Sequence, residues 1–541
     1  MNNFRRRALL LALFAFAVVI AAQTTRETRL AVTIVDAKTG EPTPARVRLL
    51  SGTGSALTPN GALAISSAGL GAPAEAISVL YGRDDRAEGF VLQQDGSFYV
   101  DGSFAMNLPP GEYQLEISKG YEFVREKHNV NAGPGRGIEL DISLKRWIDM
   151  PARGWYSADD HIHLRRSPKD NAAILRWVAA EGIHIGNLLQ MGDFWTYVFS
   201  QYGWGEAGRY READNLLASG QEEPRTPEIG HTISLGANDF VRSRDDYYSF
   251  DRLFDRIDER GGISGFAHQA MSFHGYRGMT LNVLRDKVDF VELLQFCVDG
   301  GPLHTEHYYR FLNLGYRLTA LAGSDFPWCG RGEIGSPERT SQIGDARFYT
   351  YVGDEFSYES WFAALKAGRT FASTGPVVEI TVNGKGPGET VNVAPGATLH
   401  VAAKAFGHAS QIPLSELEIV GHGRVLKRVV ARNNSEELSI EMELPVTHGI
   451  WLAVRAKAGP TQIAHSTPVY VTMDGGGFHD PDAAAANLAL CERDLKEIEQ
   501  ELANPGRQLD SQAWRHREEL ERQIAETRVV LRELGQSLIA Q

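Results

Sequence analysis

The stretch Gly154-Trp155-Tyr156-Ser157-Ala158-Asp159-Asp160-His161-Ile162-His163 decides how this chain is interpreted. It predicts a strand, in which successive side chains alternate between two faces, so that His161 and His163 point the same way. Two neutral imidazoles in that arrangement are able to bind one divalent ion. Asp159 belongs to the same alternating row and is a candidate hydrogen-bond acceptor behind a metal ligand. The alternative is a pair of surface histidines.

Strand-like and helix-like runs alternate downstream of this motif as far as about residue 374. The predicted extended runs are 183–189, 233–235, 263–267, 288–294 and 318–322, and the predicted helices are 171–181, 250–260 and 303–314. Such alternation is typical of parallel βα units in a barrel or an open sheet. The polar and aromatic stretch 195–227 has little periodicity and is predicted to be a long loop near the site.

Residues that follow the carboxyl ends of βα strands gather at one face of the fold and supply its active site. The metal ligands predicted on this basis are His161, His163, His268 and Asp325, and the predicted proton carriers are Asp193 and His268. Possible substitute ligands or supporting residues are Asp159, Asn238, Asp239, Glu292 and His304. Arg331 and Arg339 are candidates for binding an anionic substrate, with solvated loop arginines as the alternative. A core histidine and a helix cap are the alternatives for His268 and Asp325.

Length, charge and the first residues limit the class of protein. A chain of 541 residues is too long for one hydrophobic core, so several domains are expected. The net charge of −13 argues against a general nucleic-acid binder. Arg5, Arg6 and Arg7 precede the apolar run Ala8–Ala22, which predicts a signal peptide over residues 1–22 and a periplasmic or extracellular protein. An uncleaved anchor is the alternative, and no membrane span is expected after the signal.

Two β-rich modules and a helical pair are predicted around the βα region. Alternating apolar runs at Leu30–Val35 and Ala45–Leu50 predict a hairpin inside an N-terminal β-sandwich, residues 28–147. A second β-sandwich is predicted over 376–473, and heptad-spaced apolar residues predict a helical hairpin over 480–541 that packs on the body or forms a dimer contact. Cys297 and Cys329 either form one disulfide or are buried thiols.

The motifs resemble those of a known family. The stretch from Gly154 to His163 resembles the opening metal motif of polymerase-and-histidinol-phosphatase (PHP) metallohydrolases, in particular the exported branch named for carbaryl hydrolase (CehA/McbA). Gly323-Ser324-Asp325 resembles the closing Gly-Ser-Asp motif of that family, and 364–376 resembles the segment that ends the domain. The N-terminal module resembles carboxypeptidase regulatory-like domains. The resemblance implies a multidomain α/β plus β protein whose central distorted (β/α)7 barrel spans 153–375.

Several positions depart from the family pattern. The family has Asp-His, Gly-x-Glu, His-Pro and a further histidine where this chain has Asp193-Phe194, Gly236-Ala237-Asn238, His268-Gln269 and Pro327. Either one metal ion remains, or histidines from elsewhere substitute, or the site is degenerate. The candidate substitutes are His184, His231, His304 and His307.

The expected activity is hydrolysis by hydroxide bound to one or two divalent ions, zinc, manganese or iron. A phosphoester, carboxylic ester, carbamate or amide fits that chemistry, in a small molecule or linked to a polymer. The alternative function is a non-catalytic exported scaffold, in which a relic barrel carries modules that bind glycan or another surface polymer.

Overall fold

The computed structural model describes residues 27–65, 90–93, 95–135, 137–268, 272–295, 303–327, 341–503 and 511–539. The predicted signal peptide 1–22 lies outside the described residues, as do Cys297, Cys329, Arg331 and Arg339. The described residues fall into two compact units. The first contains the described residues up to Ala64, those from 90 to Ile148, and Ala179–Glu181, and the second contains Asp149–Val178 and the described residues from Gly182 onward.

The first unit consists of two facing sheets. Its strands are β1 (Thr28–Asp36), β2 (Pro44–Ser51), β3 (Phe98–Asp101), β4 (Ser103–Leu108), β5 (Gly111–Ser118), β6 (Glu126–Ala132) and β7 (Ile138–Leu144). One sheet has the order β4-β1-β7 and the other β3-β2-β5-β6. Alternate residues of both sheets, such as Val32 of β1 and Leu49 of β2, are buried in one hydrophobic core. This sandwich-like arrangement agrees with the β-rich pattern of the sequence.

The predicted hairpin of β1 with β2 is wrong. β1 pairs with β4 and β7, whereas β2 pairs with β3 and β5, so the two strands belong to different sheets. Only an isolated bridge between Val35 and Pro42 joins the start of the connection. Each strand has one apolar face, and placing the strands in opposite sheets buries both faces in the same core.

The second unit begins with a curled mixed sheet. Its strands are β8 (Trp155–Ile162), β9 (Ile185–Gly192), β10 (Tyr197–Val198), β11 (Tyr210–Glu212), β12 (Asn215–Thr226), β13 (Gly230–Leu235), β14 (Ile263–Phe266), β15 (Phe290–Gln295), β16 (Thr319–Gly323), β17 (Arg347–Tyr351) and β18 (Thr370–Ser373). Its helices are α1 (Asn171–Ala180), α2 (Phe250–Asp258), α3 (Gly275–Val283), α4 (Glu306–Asn313) and α5 (Tyr358–Lys366). The α/β class predicted from the alternating runs is confirmed.

The strands of this sheet do not all run in one direction. β8, β9 and β12 pair in parallel, and so do β14, β15 and β16. β13, however, is antiparallel to both β12 and β14, and β17 is antiparallel to β8. An uninterrupted parallel βα barrel is therefore not what the chain forms. The prediction of a long loop at 195–227 is also wrong, because this stretch contains β12, which lies between β9 and β13.

Backbone hydrogen bonds join the first strand of the curled sheet to the turn after β16. The His163 N–H donates to the Phe326 carbonyl at 2.7 Å, and the Phe326 N–H donates to the His161 carbonyl at 3.2 Å. An isolated parallel bridge links Ile162 to Phe326. These contacts place the end of β8 beside the residues that follow β16.

The remaining strands and helices complete the second unit. The strands are β19 (Val377–Val382), β20 (Thr390–Val393), β21 (Thr398–Phe406), β22 (Leu414–Gly421), β23 (Arg424–Ser435), β24 (Glu437–Pro445), β25 (Ile450–Ala458), β26 (Gln462–Ser466) and β27 (Val469–Met473). One sheet has the order β19-β21-β24. The other strands pair around β25, and β26 pairs with β18, so this sheet continues from the curled one.

A pair of helices, α6 (Ala484–Ala503) and α7 (Arg517–Ile539), ends the described chain. The heptad residues Leu495 and Ile498 of α6 and Ile524 of α7 are buried in the same core cluster as Leu281 of α3 and Phe311 of α4. The predicted helical pair is confirmed, and it packs on the body of the unit. Cys491 is buried within it as a free thiol.

No helix among the described residues combines the length and the apolar character that crossing a bilayer requires.

Candidate metal centre

The two histidines of β8 converge on one point. Both side chains are fully buried, and their Nε2 atoms lie 3.1 Å apart. The Nδ1 atom of His161 lies 2.9 Å from the Glu292 carboxylate, and that of His163 lies 3.3 Å from the Leu189 carbonyl. Because each Nδ1 faces an acceptor, the proton of each neutral ring resides there and both Nε2 atoms present lone pairs. Two facing lone pairs call for a cation between them.

Asp325 supplies a carboxylate at the same point. It follows β16 in the turn that is bonded to the end of β8, with a φ of 50°. Its Oδ1 lies 3.2 Å from the Nε2 atoms of both His161 and His163, and its Oδ2 lies 3.4 Å from Nε2 of His268. Asp325 Oδ1 and His268 Nε2 are buried without a hydrogen-bond partner among the described residues. Buried polar atoms of this kind indicate a missing ligand.

Glu222 of β12 lies between the histidines. Its Oε2 is 3.3 Å from Nε2 of His163 and 3.7 Å from Nε2 of His161. Its Oε1 faces the other way, 3.0 Å from Nδ1 of His231 and 3.7 Å from Nε2 of His268. One carboxylate therefore borders two adjacent groups of nitrogen atoms.

The donor set has the dimensions of a metal site. A tetrahedral zinc ion with bonds of about 2.0–2.1 Å separates its ligand atoms by about 3.3 Å. The distances among His161 Nε2, His163 Nε2, Asp325 Oδ1 and Glu222 Oε2 that are given above run from 3.1 to 3.7 Å. Glu222, His231 and His268 form a second group whose ligand atoms lie within 4.8 Å of one another. The buried cluster is thus able to hold a metal ion.

The electrostatics of the cluster favour positive charge. Burial alone lowers the pKa of His161, but the carboxylates of Asp325 and Glu292 outweigh it and raise this pKa well above its usual range. Burial raises the pKa of Glu222, yet the Arg225 guanidinium and the neighbouring imidazoles bring it well below its usual range. Asp160, buried beside Glu292, has a pKa well above its usual range, first through burial and then through that carboxylate.

Glu292 and Asp159 support the ligands from behind. Glu292 accepts from the His268 backbone N–H at 2.6 Å with one oxygen and faces Nδ1 of His161 with the other. Asp159 accepts from the backbone N–H groups of His161, Ser324 and Gly344. Their positions agree with the supporting roles that the sequence suggested for them.

Three carboxylate or amide positions predicted for the site lie outside the cluster. Asp193 is exposed, and its carboxylate accepts from the backbone N–H groups of Trp195 and Thr196 in a turn. Asn238 and Asp239 are also exposed. They follow the carboxyl end of β13, which is antiparallel to its neighbours, so this end lies at the opposite edge of the sheet. The first residues of β13, including His231, lie at the site instead.

Of the four substitute histidines that the sequence offered, the cluster contains only His231. His184 pairs with the Ser157 hydroxyl at 2.8 Å, and His307 accepts from Arg310 at 2.7 Å and stacks on Tyr276. His304 lies 3.9 Å from Glu306 on the partly exposed start of α4. None of these three belongs to a described group of converging ligands.

Glu222 was missed because the stretch around it was interpreted as a loop. Leu216-Leu217-Ala218 is an apolar run of strand type, and Gly220-Gln221-Glu222 has the Gly-x-Glu pattern that was sought at Gly236. Both signals were present in the sequence. Their position inside a polar and aromatic segment obscured them.

No protein-family model matches the chain, and no curated protein matches it.

Proposed function

We propose that this protein is an exported metal-dependent hydrolase of the PHP type. The observation that carries the proposal is the convergence of His161 Nε2, His163 Nε2 and Asp325 Oδ1 within 3.2 Å of one another, with both Nδ1 atoms already engaged. Structural histidines in a hydrogen-bonded core seldom leave two lone pairs and a carboxylate oxygen facing one another. Zinc, manganese or iron suits this mixture of imidazole and carboxylate ligands.

His161, His163, Asp325 and Glu222 would hold the first ion, and Glu222, His231 and His268 offer a place for a second. Bound ions of this kind lower the pKa of water and stabilise negative charge that develops on a substrate oxygen. The residues contribute position and proton transfer. Glu292 fixes the His161 ring and the His268 backbone, and the unpartnered Nε2 of His268 is available to accept a proton or an ion.

The bond that is cleaved is a phosphoester, carboxylic ester, carbamate or amide, in a small molecule or on a polymer. Family membership and export to the periplasm or beyond belong to this proposal, supported by the motifs at Gly154–His163 and Gly323–Asp325 and by the N-terminal residues.

Metal analysis of the purified protein tests the proposal. Wild-type protein should contain at least one equivalent of a divalent metal, and His161→Ala should lose it. His400→Ala is a matched control, because His400 lies on an exposed strand where it contacts Glu443. Turnover of p-nitrophenyl phosphate or p-nitrophenyl acetate should need the metal and disappear in His161→Ala. Metal-free protein that is equally stable in the variant would support the non-catalytic scaffold instead.

A further inference from the structure

Arg225 lies against both groups of ion-binding atoms. Its Nε is 3.1 Å from Glu222 Oε2 and 3.3 Å from Nδ1 of His231. In a regular strand, residues three apart face opposite sides of the sheet. The register of β12 with β13 shifts between Glu222 and Arg225, which allows both side chains to reach the same site. Arg225 is the basic residue that this irregularity brings to the cluster.

The outer part of the Arg225 side chain is not used by the protein. Neither terminal nitrogen donates a hydrogen bond to any described residue, although the side chain is only 14% exposed. Nε alone is enough to offset the charge of Glu222. Two terminal nitrogens with four N–H groups are left, in a fork that matches two oxygens of one anion. A largely buried guanidinium with unused donors is costly unless a ligand binds them.

The space beside Arg225 is open to solvent on the side of His231. Phe273 stacks on the His231 ring with centroids 4.1 Å apart and is still 52% exposed. Arg225 and Phe273 thus contact the same imidazole, one with a cation and the other with a flat apolar surface. A ligand that reaches His231 from solvent meets both of them.

We propose that Arg225 binds the charged oxygens of the substrate and that the substrate is therefore a phosphoester. This inference rests on the proposed function. A phosphoryl group presents several anionic oxygens, so that two remain for the guanidinium, whereas a carboxylic ester, carbamate or amide bears no charge. In the reaction, the water oxygen bonds to phosphorus and the bond from phosphorus to the ester oxygen breaks. One water proton goes to the departing alcohol, and phosphate is the other product.

Two esters with the same leaving group test the inference. Metal-loaded wild-type protein, Arg225→Gln and Arg225→Lys are compared on p-nitrophenyl phosphate and p-nitrophenyl acetate, with Arg176→Gln as control. Arg176 is a partly exposed arginine of α1 that pairs with Glu212. For Arg225→Gln, the loss in kcat/KM on the phosphate should exceed the loss on the acetate by about tenfold to a hundredfold. Arg225→Lys should fall between the two, and the control should match wild type.

Binding of inorganic phosphate provides a second readout without catalysis. Titration calorimetry on the metal-loaded proteins should show an affinity about tenfold or more weaker in Arg225→Gln than in wild type. If neither ester is turned over but this difference is found, the anion site stands and the hydrolase proposal fails. Equal losses on the two esters with unchanged phosphate affinity would overturn the anion site and leave the hydrolase. If Arg225→Gln loses its metal, Arg225→Lys, which keeps a charge beside Glu222, decides in the same way.

Discussion

Asp159 and Ser324 lie 165 positions apart, and the backbone N–H of Ser324 donates a hydrogen bond of 3.0 Å to the Asp159 carboxylate. The same oxygen accepts from the His161 N–H at 3.0 Å, and the other oxygen accepts from the Gly344 N–H at 2.8 Å. Burial raises the pKa of Asp159 to about 6 although these donors oppose the shift. One buried side chain thus ties the strand of the two histidines to the turn that carries Asp325.

Replacing Asp159 by asparagine should loosen that connection. An amide has one acceptor oxygen, and its NH2 group would face a backbone N–H donor on the other side. A buried donor left without a partner costs about 1–3 kcal/mol, so Asp159→Asn should lower the free energy of unfolding by that amount and weaken metal binding. Urea denaturation and metal titration measure the two effects. Asp239→Asn, in an exposed position, is the control and should change neither.

Glu292 should matter for metal affinity without touching the ion. Its two oxygens face Nδ1 of His161 and the backbone N–H of His268, both of them donors. In Glu292→Gln, the amide nitrogen must face one of these donors, so the His161 ring or the His268 backbone is displaced. We expect the metal dissociation constant to rise by about tenfold to a hundredfold. Glu418→Gln removes an equally buried carboxylate that pairs with Arg428 and Arg455 instead, and it should leave the constant unchanged.

Gly323 leaves no room for a side chain. A Cβ atom there would lie 2.2 Å from Asp160 Oδ1, 2.5 Å from the His161 Cβ and 2.8 Å from Glu292 Oε1. Gly323→Ala should therefore displace His161 and its support, destabilise the protein by about 1–3 kcal/mol and abolish metal binding. Thermal unfolding and metal content report the result. At Gly386 the nearest atom would be 3.7 Å away, so Gly386→Ala should retain full metal content. Full metal content in Gly323→Ala would contradict the geometry described here.

The part of the site that could be predicted from sequence is the part that depends on local patterns. The alternation in β8 puts His161 and His163 on one side, and the apolar run of β16 ends directly before Ser324-Asp325. Parallel neighbours bring such ends together, and in this structure they meet. The same rule correctly placed His268, after β14, and Glu292, on β15.

The rest of the site depends on strand direction, which is not a local property. The rule that strand ends meet at one edge was applied to β13 as well, and it placed Asn238 at the site. Because β13 returns antiparallel after β12, its beginning lies there, and His231 takes part instead. Glu222 is in β12, whose composition of glycine, glutamine and glutamate hides a strand that is almost entirely buried. Pairing partners decided both positions.

Asp494 should be the most sensitive polar residue of the helical pair. It is fully buried, pairs with Arg310 and accepts from the Thr280 hydroxyl at 2.9 Å. Asp494→Asn leaves the buried Arg310 without a carboxylate, which should cost about 3–5 kcal/mol in the free energy of unfolding. The double variant Asp494→Leu with Arg310→Met should recover most of this loss. A cost below about 1 kcal/mol for Asp494→Asn in urea denaturation would show that the pair is not stabilising the docked helices.

His465 should make the second unit sensitive to acid. It is fully buried, it accepts from the Tyr309 hydroxyl at 2.6 Å through Nε2, and its Nδ1 donates to the Ser466 carbonyl at 2.7 Å. Burial, with help from Arg455, lowers its pKa to about 4. Since an unfolded histidine titrates near 6.5, the stability held above that pH is lost as the pH falls toward 4, by about 3 kcal/mol. His465→Asn cannot titrate, so its stability should fall less over this range. Parallel curves of unfolding free energy against pH for the two proteins would refute the assignment.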